Sequence, residues 1–247
     1  MRPINKGGIP LLADGSVKTV TDYKNWRGDL IDRIGFYCCY CNLPLKDSPQ
    51  VEHVVAQDID PSQALEWNNM LLACGPCNRT KSKKPCPPQT HYLPQYHNTH
   101  LAFEYYVSNA TINNTNAAFV RSRNAGCDIL KSNSAIDLCA LDRDTSSEVQ
   151  KATDLRWKYR NEAILHARIW RKEFDDWAHT KVTSFVNLLN TIVTETGFWS
   201  IWFETFQDVQ EVRRMLVQDI IGTDEGSFDV NTFMPIPRNP RYSTDII

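Results

Sequence analysis

The chain has 247 residues, of which 42% are hydrophobic and 23% are charged. This composition is typical of a folded protein of one large domain or of a small domain with a helical companion, and it excludes a collagen-like, coiled-coil or fully disordered chain. No run approaches the roughly 20 apolar residues of a transmembrane helix. The first residues lack the apolar core of a signal peptide, so we expect a cytoplasmic protein with no membrane contact.

The net charge is only −2, so no global basic field indicates nucleic-acid binding. The charge is uneven, because residues 1–100 contain 11 Lys and Arg against 9 Asp and Glu, whereas residues 101–247 contain 16 against 20. A surface for nucleic acid would have to be local, and a partner would have to supply most of it.

Hydrophobic spacing and turn residues predict the elements of the first hundred residues. They are a helix over 21–35 with Thr21 or Asp22 as its N-cap, short strands over 51–57 and 69–74, and a basic helix over 77–84. The run 101–107 predicts a further strand.

Beyond residue 150 the pattern becomes helical. Apolar residues recur at spacings of three or four over 155–177, over 185–192 with Gly197 as the stop, and over 202–220 with Gly222 as the stop. The tryptophans of these helices are typical of a packed core, and part of the aromatic stripe could instead dock a partner. We therefore predict an α+β chain with two parts, 1–100 and 101–247, the second mainly helical.

Two CxxC pairs, Cys38–Cys41 and Cys74–Cys77, are separated by 32 residues. Four thiolates on two such knuckles fit the tetrahedral preference of Zn²⁺, and a closed four-Cys site is structural rather than catalytic. Cys39 lies inside the first knuckle, and we prefer Cys38 because only 38/41 repeats the spacing of 74/77. The remaining cysteines lack partners at ligand spacing and are interpreted as ordinary thiols.

The patterns YCCYC, VEHVVAQ and WNNMLLACGPCNRTK together resemble the HNH endonucleases, whose ββα-metal core is often clamped by such a four-Cys zinc. The phrase DLIDRIGFYCCYC resembles more narrowly the PtuB-type HNH subunit of Septu and retron-associated anti-phage defence systems. That subunit works beside an ABC-type, SMC-like ATPase (PtuA-like). The resemblance covers about residues 1–100 and implies an N-terminal ββα-metal core with an accessory, partner-docking region over 101–247.

The resemblance also implies roles for site residues. His53 would be the general base that activates water, and Glu52 with Asn78 would bind a catalytic Mg²⁺ or Mn²⁺ through oxygen atoms. Asn69 would hold the loop between the strands and orient His53. Adjacent residues on a regular strand face opposite sides, so Glu52 and His53 share a site only if the strand ends or bulges there.

A cluster of cations follows Asn78 directly. It consists of Arg79, Lys81, Lys83 and Lys84. Such cations displace the counterions condensed on a nucleic acid, so phosphate contact is the functional interpretation, and a solvated helix face is the alternative.

The sequence therefore predicts a metal-dependent HNH endonuclease subunit that acts on DNA or, as a second target, on RNA. The competing hypothesis is a non-catalytic zinc-knuckle adaptor that binds nucleic acid or protein. It predicts that His53 and Glu52 are replaceable while the knuckle cysteines are not.

Overall fold

The computed structural model describes residues 1–112, 115–143, 154–238 and 247. It combines helices with two small antiparallel sheets, one formed by β1 and β2 and the other by β3 and β4. In chain order the elements are α1 (Arg27–Ile34), β1 (Gln50–His53), β2 (Met70–Ala73), α2 (Gly75–Lys81), β3 (Phe103–Ile112), β4 (Thr115–Ser122), α3 (Ile129–Cys139), α4 (Arg156–Asp176), α5 (Val182–Thr196), α6 (Trp199–Thr205) and α7 (Gln210–Gln218). Among the helices of this described part, none is long and apolar enough to cross a membrane.

The first predicted helix is present in two pieces. A short 3₁₀ helix, Tyr23–Trp26, leads directly into α1, and the Asp22 carboxylate caps it by accepting from the Lys24 amide. The helix ends at Gly35, whose φ of 73° is a conformation that glycine adopts without strain. The predicted cap and stop are both confirmed.

Strands β1 and β2 pair antiparallel, with Gln50 opposite Ala73 and His53 opposite Met70. Helix α2 follows β2 at once, because the Cys74 sulfur accepts from the Cys77 amide and Pro76 suits the first turn. Both predicted strands are shorter than expected. The helix ends at Lys81 rather than at residue 84, since Ser82 has a φ of 47°.

The C-terminal part departs from prediction in three places. Strand β4, which pairs with β3, was not predicted. Helix α3, which begins after the N-cap Asp128, was not predicted. The single helix expected over 202–220 is wrong, because the chain forms α6 and α7 with an interruption between them. In that interruption the Asp208 carboxylate forms a bidentate ion pair with Arg171 of α4, a contact that holds the turn against the neighbouring helix.

The buried apolar residues form two clusters. One contains the cysteine knuckles, α1, the β1–β2 hairpin and α3, and the other is centred on α4 to α7. The parts meet closely at the first knuckle, where the Asn42 carbonyl accepts from the Phe198 amide at 3.0 Å. A Cβ on the preceding Gly197, whose φ is 67°, would lie 2.5 Å from that carbonyl oxygen. This close approach requires glycine.

Candidate functional site

The four knuckle cysteines converge on one point. The sulfur atoms of Cys38, Cys41, Cys74 and Cys77 all lie within 4.8 Å of one another, and those of Cys41 and Cys74 are 3.7 Å apart. Four sulfurs at about 2.3 Å from one Zn²⁺ are separated by about 3.8 Å in a regular tetrahedron. All four residues are buried, so the donor set and its spacing fit a closed structural zinc site.

Cys39 points elsewhere and is not part of this cluster. Its amide donates to the Leu72 carbonyl, which ties the first knuckle to β2. Burial raises the pKa of the Cys39 thiol to about 12, so it stays protonated at neutral pH. Within the described residues the four-Cys group is the one cluster of three or more His, Cys, Asp or Glu side chains suited to a metal.

A buried arginine from the helical region supports the metal site. Nη1 of Arg156, the first residue of α4, donates to the Cys77 sulfur at 3.1 Å and to the Cys139 carbonyl at 2.9 Å. Asp154 accepts from the same guanidinium at 2.7 Å. A zinc ion with four thiolates carries a net charge of −2, and a buried cation beside it lowers the cost of keeping that charge from water.

His53 is half-buried at the end of β1. Its Nε2 lies 3.0 Å from the Ala64 carbonyl oxygen, and its ring packs on that of Tyr23 with centroids 4.5 Å apart. A carbonyl oxygen only accepts, so Nε2 carries the hydrogen, and in the neutral imidazole Nδ1 then holds the lone pair. The geometry thus leaves Nδ1 as the basic nitrogen.

Asn69 is buried and fixes the loop that joins the strands. Its Oδ1 accepts from the Val55 amide at 2.7 Å, and its Nδ2 donates to the carbonyls of Val55 at 2.9 Å and Gln63 at 3.1 Å. The last of these carbonyls immediately precedes that of Ala64, the partner of His53. Asn69 therefore holds the backbone that orients the imidazole.

Glu52 requires a correction. Its side chain is 2% exposed, its Oε1 lies 2.6 Å from Nζ of Lys81, and its Oε2 accepts from the Tyr40 hydroxyl at 2.6 Å. Burial raises the pKa of Glu52, and the Lys81 ion pair and the Tyr40 hydrogen bond act against that rise. With both oxygens used in the interior, the structure does not support Glu52 as a ligand of a catalytic metal.

Asn78 lies on the face of α2 that covers β1. Its Nδ2 donates to the Gln50 side chain at 2.9 Å, and one helical turn later Lys81 donates to the His53 carbonyl at 2.7 Å. Gln50 and His53 lie three positions apart, about 10 Å along a strand. The structure therefore brings Asn78 to the start of β1 rather than into contact with the His53 ring.

The four predicted phosphate-binding cations have different environments. Arg79 is exposed, and Lys83 is exposed and paired with Asp58 at the surface. Lys84 is exposed and its ammonium lies 3.4 Å from two carbonyls at the end of α3. Lys81 is wholly buried against Glu52, so its predicted phosphate contact is wrong.

Two residues that contact these sites could not be predicted from the sequence. Arg156 lies 79 residues beyond Cys77, and nothing in its local pattern marks it as a partner of the knuckle. Tyr23 belongs to an apolar helical repeat, whose spacing indicates only a packing residue. The local pattern of neither residue indicates a role at the site, because each reaches the site through tertiary contacts.

Comparison with protein families gives a match to part of the chain. Residues 38–84, from the first knuckle cysteine to the end of the basic cluster, match the family model of HNH endonucleases. This segment near the N-terminus is thus similar to an HNH endonuclease domain, and the similarity supports nuclease activity in general. No curated protein and no solved structure matches the chain.

Proposed function

We propose that the protein is a metal-dependent HNH endonuclease subunit that hydrolyses phosphodiester bonds of nucleic acids, with DNA as the preferred target and RNA as the second. The observation that carries the proposal is the environment of His53 inside the family-matched segment. The Ala64 carbonyl holds Nε2–H, and Asn69 holds the loop that supplies this carbonyl. Nδ1 is thereby oriented as a base.

In the proposed reaction the Nδ1 atom of His53 removes a proton from the attacking water, while the Nε2–H group remains hydrogen-bonded to the Ala64 carbonyl. A Mg²⁺ or Mn²⁺ ion, when bound, would stabilise the negative charge that develops on the phosphate and on the leaving oxygen. We assign the ligand role to Asn78, because its Nδ2 donates to Gln50 and its amide oxygen remains a hard donor suited to such ions. Arg79 is the exposed cation nearest to it in sequence for a phosphate contact.

Zinc would stay outside the chemistry in this proposal. A zinc ion bound by all four thiolates would have no coordination position left for water or substrate, which is the arrangement of structural zinc sites. Its role would be to hold the two knuckles, and with them the start of α2, against the hairpin that carries His53.

The defence role and the ATPase partner are the most specific part of the proposal. They rest on the resemblance of residues 29–41 to the HNH subunit of Septu-type systems. The acidic balance of residues 101–247 agrees with a chain that relies on a partner for nucleic-acid binding. Co-expression with an ATPase subunit of that class, followed by size-exclusion chromatography, tests the association.

The activity test compares the wild-type chain with His53→Ala on supercoiled plasmid and on folded RNA, with Mg²⁺ or Mn²⁺, alone and with the ATPase subunit. We expect cleavage by the wild type and a loss of at least about 100-fold in the variant. His166→Ala, which removes an exposed histidine of α4, is the matched control and should retain activity. The melting temperature and zinc content of His53→Ala should remain close to those of the wild type.

The metal assignment has its own test. Asn78→Ala should raise the Mg²⁺ concentration required for half-maximal cleavage, whereas an unchanged titration would remove Asn78 from the ligand set.

A non-catalytic zinc-knuckle adaptor is the second candidate, and the buried state of Glu52 favours it, because one predicted metal ligand is already paired within the protein. Absence of cleavage on every substrate, with or without the ATPase subunit, would support this function over the nuclease.

A further inference from the structure

Three consecutive backbone carbonyls in the loop between β1 and β2 each receive a side-chain N–H from a different part of the chain. Asn69 Nδ2 donates to Gln63 O at 3.1 Å, and His53 Nε2 donates to Ala64 O at 3.0 Å. Trp26 Nε1 donates to Leu65 O at 2.9 Å. The acceptor of His53 is therefore held on both sides by hydrogen bonds from side chains.

Trp26 is well placed to fix this backbone. Its side chain is 1% exposed, and its ring packs edge-on against Trp67 with centroids 5.3 Å apart. Trp67 is also buried, and its own Nε1 donates to the Gly7 carbonyl at 3.1 Å. A pair of interlocked indoles has few alternative rotamers, so the Nε1–H of Trp26 defines where the Leu65 carbonyl lies.

Tyr23 contacts the imidazole of His53 directly. Its ring lies against that of His53 with centroids 4.5 Å apart and planes inclined by 57°. It belongs to the same 3₁₀ turn as Trp26, which begins at the Asp22 cap. One capped turn therefore places the Tyr23 ring against the imidazole of His53 and the Trp26 ring against the loop whose carbonyl accepts the His53 hydrogen bond.

We propose that Tyr23 and Trp26, which both lie outside the HNH-matched segment 38–84, are positioning residues for His53. Tyr23 sets the plane of the imidazole, and Trp26 sets the carbonyl that keeps the hydrogen on Nε2 and the lone pair on Nδ1. The inference rests on the proposed function in so far as it concerns catalysis. Its structural half, the tautomer and orientation of His53, stands on the contacts alone.

The expected effect follows from the geometry that general-base catalysis needs. A base displaced by about 1 Å loses roughly 100-fold in rate, and groups that orient a histidine through its second nitrogen have effects of about 10- to 100-fold. We expect Tyr23→Leu and Trp26→Phe to lower the single-turnover cleavage rate by about 10- to 100-fold at saturating nucleic acid. The apparent affinity for nucleic acid should change by less than about twofold.

Tyr23→Phe is the matched control because it keeps the ring and removes only the hydroxyl. It should cleave within about threefold of the wild type. A Tyr23→Phe variant as impaired as Tyr23→Leu, or a Tyr23→Leu variant with wild-type rate, would overturn the role of the ring.

An activity-independent readout separates this inference from the nuclease proposal. ¹⁵N spectra of histidine-labelled protein, with the His53 signals identified by their absence in His53→Gln, report which ring nitrogen carries the hydrogen. The wild type and Tyr23→Phe should show the Nε2–H tautomer, and Trp26→Phe a mixture. A wild-type tautomer in Trp26→Phe would overturn the inference, whereas absence of cleavage with the expected spectra would overturn only the nuclease.

Discussion

Glu52, Lys81 and Tyr40 form a polar group inside the hydrophobic cluster that contains the knuckles. The ion-pair atoms are 2.6 Å apart, and both side chains are at most 2% exposed. Removing two charges from water is costly, and the attraction between them compensates only when the geometry is close and the remaining polar atoms are satisfied. The Tyr40 hydroxyl and the His53 carbonyl supply these further partners.

Replacement of one partner should therefore be much worse than replacement of both. Lys81→Met leaves the Glu52 carboxylate buried without its cation, and we expect the free energy of unfolding to fall by about 3–5 kcal/mol. Urea unfolding followed by circular dichroism measures this change. The double variant Glu52→Leu/Lys81→Met should recover much of the loss.

Lys83→Met is the control, because Lys83 forms its ion pair with Asp58 at the surface. Its unfolding free energy should change by less than about 1 kcal/mol. Equal effects of the Lys81 and Lys83 variants would contradict the buried pair.

Lys6 is another buried cation, and it supports the turn before β2. Its ammonium donates to the carbonyls of Trp67 at 2.6 Å, Asn68 at 3.1 Å and Met70 at 2.6 Å. Burial lowers the pKa of Lys6 from 10.5 to about 7. Between these two pH values the unfolded chain binds more protons than the folded chain.

The cost of burying this ammonium is therefore fully present below about pH 7 and is relieved as the pH rises toward 10.5. We expect the melting temperature of the wild type, relative to Lys6→Met, to increase across this range. Lys24→Met, which removes an exposed lysine, should show a constant difference from the wild type. A constant difference for Lys6→Met as well would contradict the lowered pKa.

The two knuckles and the start of α4 act together as one structural element. The sulfur of Cys77 ends one knuckle and accepts from Arg156, and Arg156 also donates to the Cys139 carbonyl at the end of α3. The four-Cys site is thus contacted by residues that are distant in sequence. The stability of metal binding should depend on the helical region as well as on the four thiolates.

Arg156→Met should therefore release zinc more readily. We expect zinc transfer to a colorimetric chelator to become about 10- to 100-fold more favourable, the range typical of groups that contact a metal ligand. Arg168→Met alters an exposed position of the same helix and serves as the control. Unchanged zinc transfer from Arg156→Met would show that the hydrogen bond to Cys77 contributes nothing to metal retention.

The sequence is most informative where the signal is local. The spacing of Cys38, Cys41, Cys74 and Cys77 predicts the cluster, and Asp22 and Gly35 predict the ends of the first helix. It is least informative where tertiary packing decides. A glutamate beside a histidine and a lysine in a basic run give no indication that they pair in the interior. Likewise, the spacing over 202–220 does not indicate the break between α6 and α7, where Asp208 pairs with Arg171 of α4.

At the scale of the whole molecule the regions 1–100 and 101–247 share hydrogen bonds at several points. Besides the contact of Arg156 with Cys77, the Tyr37 hydroxyl donates to the Thr194 carbonyl at 2.8 Å. The Asn42 carbonyl accepts from Phe198. The division at residue 100 remains a prediction, and these contacts indicate that the first part depends on the second.

We expect a fragment comprising residues 1–100 to lack a stable fold even with zinc present, because it would expose the surfaces now covered by α3, α4 and α5. Amide proton spectra and heat denaturation of the fragment provide the measurement. A well-dispersed spectrum with a cooperative transition and one bound zinc would instead establish an independent N-terminal domain. The full chain with zinc is the reference.

The distance along the chain between Cys77 and Arg156 has a consequence for biosynthesis. Translation proceeds at about 5–20 residues per second, so the 79 residues from Asn78 to Arg156 take roughly 4–16 s to add. During that interval the four thiols are already synthesised, while the guanidinium that donates to the Cys77 sulfur is not. A nascent chain would be exposed to oxidants and to competing thiophilic metals in this window, and metal supply during synthesis would then determine how much of the protein matures correctly.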